Sequence, residues 1–231
     1  DRVERFEQAT MTPYLLEDLQ TWFGRTETVS TPTTLAEPKF KVGDQAKYQM
    51  AMSGDMMPAG INVSMVSVVK KVAGDIADVE YTTTPPAGAP GGGKPTKTIV
   101  KIDSRGKLIG NNSAQMSQQF NNVQLPEKPV KLGQTWSGTA NGGMGMKLNT
   151  TYKLVGSKVV SGQNCAQIGV TMSSSTGQMK ISGTGTMFLR MGDCSLQTAT
   201  INVLVNGMMP GQNGAAGKPM SIKQKVAITR Q

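Results

Sequence analysis

The stretch DQAKYQMAMS, residues 44–53, decides the fold. Ala46, Tyr48, Met50 and Met52 alternate with Gln45, Lys47, Gln49 and Ala51. A period of two puts one set on one face of an extended strand and the other set on the opposite face. Such a strand lays one face on a core and turns the other to water, as antiparallel sheets do. The pattern returns near the end of the chain. In MSIKQKVAITR, residues 220–230, Met220, Ile222, Val226 and Ile228 alternate with Ser221, Lys223, Lys225, Ala227 and Thr229. In TATINVLV, residues 198–205, Ala199, Ile201, Val203 and Val205 share a face. Turn signals recur between such runs, at Gly43-Asp44, Gly74-Asp75, Arg105-Gly106, Gly162-Gln163 and Gly192-Asp193. Two looser Gly/Pro-rich stretches, 84–96 and 206–219, read as connections between strands.

Before residue 39 the pattern changes. Thr12 can cap a helix that starts with Pro13. Tyr14, Leu15, Leu16, Leu19, Trp22 and Phe23 form an apolar stripe at helical spacing, and Gly24 supplies a stop. The expectation is a helical arm over 1–27 and a Thr/Pro-rich linker over 28–38. The stripe needs cover, from the chain's own sheet or from a partner, so Tyr14, Leu15, Leu19, Trp22 and Phe23 are candidate partner-binding residues.

The β region repeats itself. FKVGDQA at 40–46 matches VKLGQTW at 130–136. VKKVAGDIADVEYTT at 69–83 matches VGSKVVSGQNCAQIGVT at 155–171, and VKIDSRGKL at 100–108 matches FLRMGDCSL at 188–196. The order is the same in both halves, which predicts two related antiparallel β-units, 39–124 and 125–231, joined at LPEKPVKLG. They are expected to pack as a sandwich or to join into one curved half-barrel sheet.

Charge divides along the same line. Residues 1–103 carry 11 Lys/Arg against 13 Asp/Glu, a net −2, whereas 104–231 carry 13 against two, a net +11. The basic half suits an anionic membrane, an acidic glycan or an acidic protein. Nucleic acid fits poorly, because the basic half offers only Phe120, Trp136, Tyr152 and Phe188 as stacking platforms. No run of apolar residues is long enough for a membrane-spanning helix. The start DRVERFEQA, charged and without Met, reads as an exported chain whose signal has been removed, so a periplasmic or extracellular place is expected. Cys165 and Cys194 are too few for a structural zinc site. In an oxidising compartment they suggest a disulfide contributing about 3–4 kcal/mol; otherwise they are two separate thiols.

LPEKPVKLGQTW, then YKLVGSKVV, then GTMFLRMGDCSLQTATINV resemble a class of uncharacterised exported bacterial β-repeat proteins, some of them lipoproteins. The resemblance spans about residues 38–230. It implies an exported β-fold and carries no catalytic residues.

Catalysis has little to work with. The chain has no His, which removes the commonest general base and the Ser-His-Asp and Cys-His arrangements. GAPGGGKPT at 88–96 is Gly-rich before a Lys, but Pro95 follows Lys94 and no helical pattern continues it, unlike a phosphate loop. No enzyme activity, resident metal or other cofactor is expected. Methionine is the unusual resource, with 16 residues against 5% aromatics. Met56, Met57, Met208 and Met209 sit at turn tips before Pro and are candidate partner contacts. Met50, Met52, Met144, Met146, Met187 and Met191 occupy alternating positions and suit a groove for an apolar ligand. Thioethers also bind Cu(I), and the blandest role is core filling. The leading expectation is a non-enzymatic binding or scaffold protein of the cell envelope, in contact with a protein partner, a second copy or an anionic surface. A carrier of a lipid or other apolar ligand and a Met-based Cu(I) binder are the alternatives.

Overall fold

The structure is a computed structural model that describes residues 40–55, 57–86, 93–109, 123–128, 130–141, 147–176, 179–209 and 218–231. All lie within the compact unit Leu35–Gln231. The expected helical arm and linker fall outside the described residues.

The described residues form eleven strands: β1 (Gln45–Gly54), β2 (Met57–Ala73), β3 (Ile76–Thr84), β4 (Thr96–Asp103), β5 (Leu108–Ile109), β6 (Thr135–Asn141), β7 (Lys147–Val160), β8 (Gln163–Thr176), β9 (Met179–Arg190), β10 (Leu196–Met209) and β11 (Lys218–Arg230). They make one open antiparallel sheet in the order β5-β4-β3-β2-β1-β11-β10-β9-β8-β7-β6. All eleven strands thus belong to one hydrogen-bonded sheet. Two meanders meet at a seam where β1 pairs with β11, Tyr48 opposite Arg230 and Met52 opposite Val226.

Alternation sets the faces as the sequence implies. Tyr48 and Met50 are buried while Lys47 and Ala51 are exposed. Ala199, Ile201 and Val203 on β10 are buried, as are Val226 and Ile228 on β11. With Ile168, Leu154 and Val100 they form one apolar cluster that runs through both halves. Across the middle of that face a row runs Tyr152, Val170, Gly185, Ile201, Val226, Met52. Gly185 is required there. A Cβ on it would lie 2.2 Å from the Thr200 carbonyl oxygen and 2.8 Å from Ile201 Cα, so the backbones of β9 and β10 approach more closely than any side chain allows.

The matched stretches adopt matching geometry. Gly43 N–H donates to Val69 O (2.9 Å) and Gly133 N–H donates to Leu154 O (2.8 Å). Asp44 N–H donates to Lys41 O and Gln134 N–H to Lys131 O, both at 3.0 Å. The Asp44 and Gln134 side chains accept from Lys41 N–H and Lys131 N–H in turn. The two glycines have φ of 92° and 83°. A register shift follows in each half, between Val69 and Lys71 and between Leu154 and Gly156. In the third matched pair, Cys194 falls where the other half has Gly106, and both backbones are left-handed, with φ of 53° and 79°.

The sheet's edges, β5 and β6, come together at one end. Leu125 N–H donates to Arg105 O (2.7 Å), in the turn that leads into β5. The preceding residue, Gln124, accepts from Trp136 Nε1 on β6 at 2.7 Å. Adjacent residues thus hold opposite edges, so the sheet bends round until both flank segment 123–125. Gly106 is shaped to it: a Cβ there would lie 2.5 Å from the Val123 carbonyl oxygen. Arg105 and Glu127 pair at 2.9 Å, and Trp136 stacks on Tyr152 with ring centres 5.4 Å apart. We call segment 123–125 the clasp. It lies at the end of the sheet that carries the short turns 41–44, 74–75, 104–107, 131–134, 161–162 and 191–195. The longer connections leave from the other end.

Candidate ligand pocket

Beside the clasp lies a cavity of about 330 Å³. This is near the lower limit of small-molecule sites, about 300–1,000 Å³. Its apolar wall comes from strand ends of both halves. Tyr48, Val69, Val79, Tyr81 and Ile102 belong to β1–β4, Leu189 and Leu196 to the β9–β10 corner, and Leu125 to the clasp. Alternation explains most of the wall, because Tyr48, Val69, Val79, Tyr81, Ile102 and Leu189 sit in the core-facing phase of their strands, while Leu196 lies before a register shift in β10. Two larger hollows are more open. One of 540 Å³ lies over Gly54, Gly183 and Lys223, and one of 730 Å³ runs along 124–137.

The polar side of the cavity is a chain of groups from the β9–β10 turn and the end of β11. Ser195 donates twice to Asp193 Oδ1, from its N–H at 3.0 Å and its Oγ–H at 2.6 Å. Arg230 Nη1 donates to Ser195 Oγ. Arg190 Nη1 lies 3.5 Å from Asp193 Oδ2. Arg190 therefore pairs with the carboxylate directly, while Arg230 reaches it through the Ser195 hydroxyl, and a guanidinium has five donors to distribute. Arg230 and Ser195 line the cavity itself, as do the acidic residues Asp44 and Asp193; Asp193 is already met by Ser195 and Arg190, so an anionic group entering beside it meets Arg230.

Burial pushes the Asp193 carboxyl up, but the two Ser195 hydrogen bonds and the charges of Arg190 and Arg230 outweigh it, and Asp193 ends below the usual carboxylate value. A folded value below the unfolded one means that the unfolded chain binds more protons. Asp193 then stabilises the fold above the unfolded carboxylate pKa of about 4, and that contribution is lost as pH falls through the lower folded value. Urea midpoints measured from neutral to acid pH should fall more steeply for the wild type than for Asp193→Asn below about pH 4. Equal slopes would remove Asp193 from the acid response.

Cys194 also lines the cavity, and the expected disulfide is not formed. Cys165 and Cys194 are both buried thiols, not bridged to one another. The sheet's phase explains this. On β8 and β9, Ala166 opposes Leu189 in the core, so Cys165, opposite Arg190, takes the other face. Cys194 sits in the apolar cluster, in the left-handed turn position. Burial raises both thiols, Cys194 to about 11 with a further push from Asp193. Such thiols are scarcely ionised at neutral pH and react slowly. Alkylation of the denatured chain without reductant should add two adducts by mass, and the native chain far fewer in the same time. A denatured chain that takes up none would restore the bridge.

The methionines mostly fill the core. Met50 and Met187 are buried in the cluster, joined by Met65 and Met172, which the sequence reading did not single out. Met52 and Met191 pack against it. None lines the cavity. Met144 and Met146 lie outside the described residues, as do Met56 and the arm residues Tyr14, Leu15, Leu19, Trp22 and Phe23. Met57, Met208 and Met209 end strands at the long-connection end, but their side chains are outside the description. Among the described residues no three His, Cys, Asp or Glu side chains gather into a metal-sized group. The residues that do converge, Arg190, Asp193, Ser195 and Arg230, were missed. The turn signal Gly192-Asp193 and the match of 188–196 to 100–108 marked their turn in the sequence, but not their convergence with Arg230.

No model of a known protein family matches this chain, and no curated protein matches it at a significant level.

Proposed function

We propose that the protein is a non-catalytic binding protein whose cavity takes up a small amphiphile, an apolar chain with an anionic end. One observation carries the reading: an apolar wall of strand ends facing a guanidinium, Arg230, within one 330 Å³ space. The wall excludes water from the chain, and the guanidinium gives a carboxylate or phosphate a charge-assisted hydrogen bond. The carrier alternative thereby moves ahead of the scaffold reading, with Tyr, Val, Ile and Leu in the lining role expected of methionine. The matched turns and register shifts support a half-barrel made by duplication of one β-unit. The cell envelope is the setting we propose, on the strength of the resemblance to exported β-repeat proteins.

The test is titration of a fatty acid carrying an environment-sensitive fluorophore. The wild type should bind it, and Arg230→Gln should bind about tenfold more weakly, the loss of one hydrogen bond to a charged group. An uncharged long-chain alcohol should compete equally well on both. Absence of probe binding, or equal probe affinity in Arg230→Gln, would sink the reading.

A further inference from the structure

Among the described residues six large apolar side chains are exposed: Val42, Ile76, Ile99, Leu132, Val155 and Val159. All but Ile99, on β4, belong to the short-turn end, so five of the six gather at one end of the sheet. Val42 and Leu132 are the most exposed, at 66% and 70%. They occupy the same position in two matching turns, Lys41-Val42-Gly43 and Lys131-Leu132-Gly133. A Cβ on either glycine would meet nothing within 4 Å, so both tips stand clear of the protein. Neither supports the core, yet both halves present an apolar residue there beside a lysine.

The charge around them has one sign in excess. Lys128 and Lys131 flank the Leu132 tip, and Lys153 and Lys158 flank Val155 and Val159 on the protruding β7–β8 hairpin. None of these four lysines, nor Lys41, is in an ion pair with a described residue, whereas Glu127, the one acid beside Leu132, is paired with Arg105. Asp44 is the acid near Val42, and Asp75 and Asp103, the latter directly opposite in the sheet, are those near Ile76. Apolar tips of one or two residues ringed by lysines match the boundary layer of an anionic bilayer, where short apolar side chains enter between headgroups and ammonium groups meet phosphates. A protein partner would call for a continuous apolar patch with a buried centre, whereas these side chains come in ones and twos with lysines next to them in sequence.

We infer that the short-turn end is a membrane-docking surface, with Val42 and Leu132 as paired insertion points and the surrounding lysines selecting anionic lipid. The cavity and its clasp lie at the same end, so docking sets the binding site against the bilayer. The inference goes beyond the ligand reading and stands without it.

The experiment is co-sedimentation of the full chain with vesicles of phosphatidylcholine and phosphatidylglycerol, and with vesicles of phosphatidylcholine alone. The wild type should partition at least about tenfold better onto the anionic vesicles. Val42→Asp/Leu132→Asp should lower that partition about tenfold, and Lys128→Glu/Lys131→Glu should do so by a similar factor. Failure of the wild type to bind anionic vesicles overturns the inference. So does undiminished binding of Val42→Asp/Leu132→Asp, because another part of the chain would then hold the membrane. The fluorescent fatty-acid titration, run without vesicles, separates the two proposals. Val42→Asp/Leu132→Asp should bind the probe as the wild type does, which also shows that it is folded, and Arg230→Gln should keep its vesicle binding.

Discussion

Ile201→Ala should lower the free energy of unfolding by about 3–4 kcal/mol, read as a lower urea midpoint at unchanged slope. Ile201 is fully buried, at 0% exposure, near the centre of the sheet. It stands opposite Gly185 on one side and Val226 on the other. Large-to-small changes cost the lost transfer energy plus the cavity left behind. Collapse into that cavity is resisted here, because the neighbours are strand residues fixed by ladders on both sides. A loss under about 1 kcal/mol would mean that the apolar face is much looser than this packing implies.

Gly185→Ala should cost about 3 kcal/mol by the opposite mechanism, overpacking. The added methyl would sit 2.2 Å from a backbone oxygen and 2.8 Å from a backbone carbon, so a side-chain rotation cannot relieve it and β9 must move away from β10. Gly156→Ala is the internal control, since a Cβ there meets nothing within 4 Å. It should change stability by no more than about 0.5 kcal/mol. The effects of Ile201→Ala and Gly185→Ala should fall short of additive. The methyl strikes the backbone of Thr200 and Ile201, which truncation leaves in place, but it also lies 3.0 Å from Ile201 Cγ1, which truncation removes.

The faces of these strands were legible in the sequence because side-chain parity is a local property. Tyr48 and Met50 in 44–53, and Ile201 and Val203 in 198–205, declare their side by spacing alone. The repeat also pointed to equivalent turns, and the turns at Gly43 and Gly133 share their hydrogen-bond pattern and positive φ. What stayed hidden depends on residues far apart in sequence. Nothing in 45–54 names 218–230 as its neighbour, so the choice between a sandwich and one sheet was open. The clasp works through backbone groups of Gln124 and Leu125, which leave no trace in residue type. Arg230 read as the last residue of an alternating strand, and its role comes from a turn 35 residues earlier, at Ser195. The cysteines misled because sequence separation carries no phase: one step of register sends Cys165 to the face opposite the core.

The β1–β11 seam has a consequence in time. Gln231 N–H, just past β11, donates to Lys47 O at 2.9 Å, so the end of the last strand of the sheet secures the start of the first. During synthesis the first meander emerges with one side of β1 unpaired, and that side stays unpaired until the final strand leaves the ribosome. Contacts of such high sequence separation slow folding, and an unmatched strand edge invites association between nascent chains. A circular permutant that joins residue 231 to residue 40 and opens the chain within 110–122 would make the seam a local hairpin. It should refold faster than the natural order, with less aggregation on the way, and reach the same sheet.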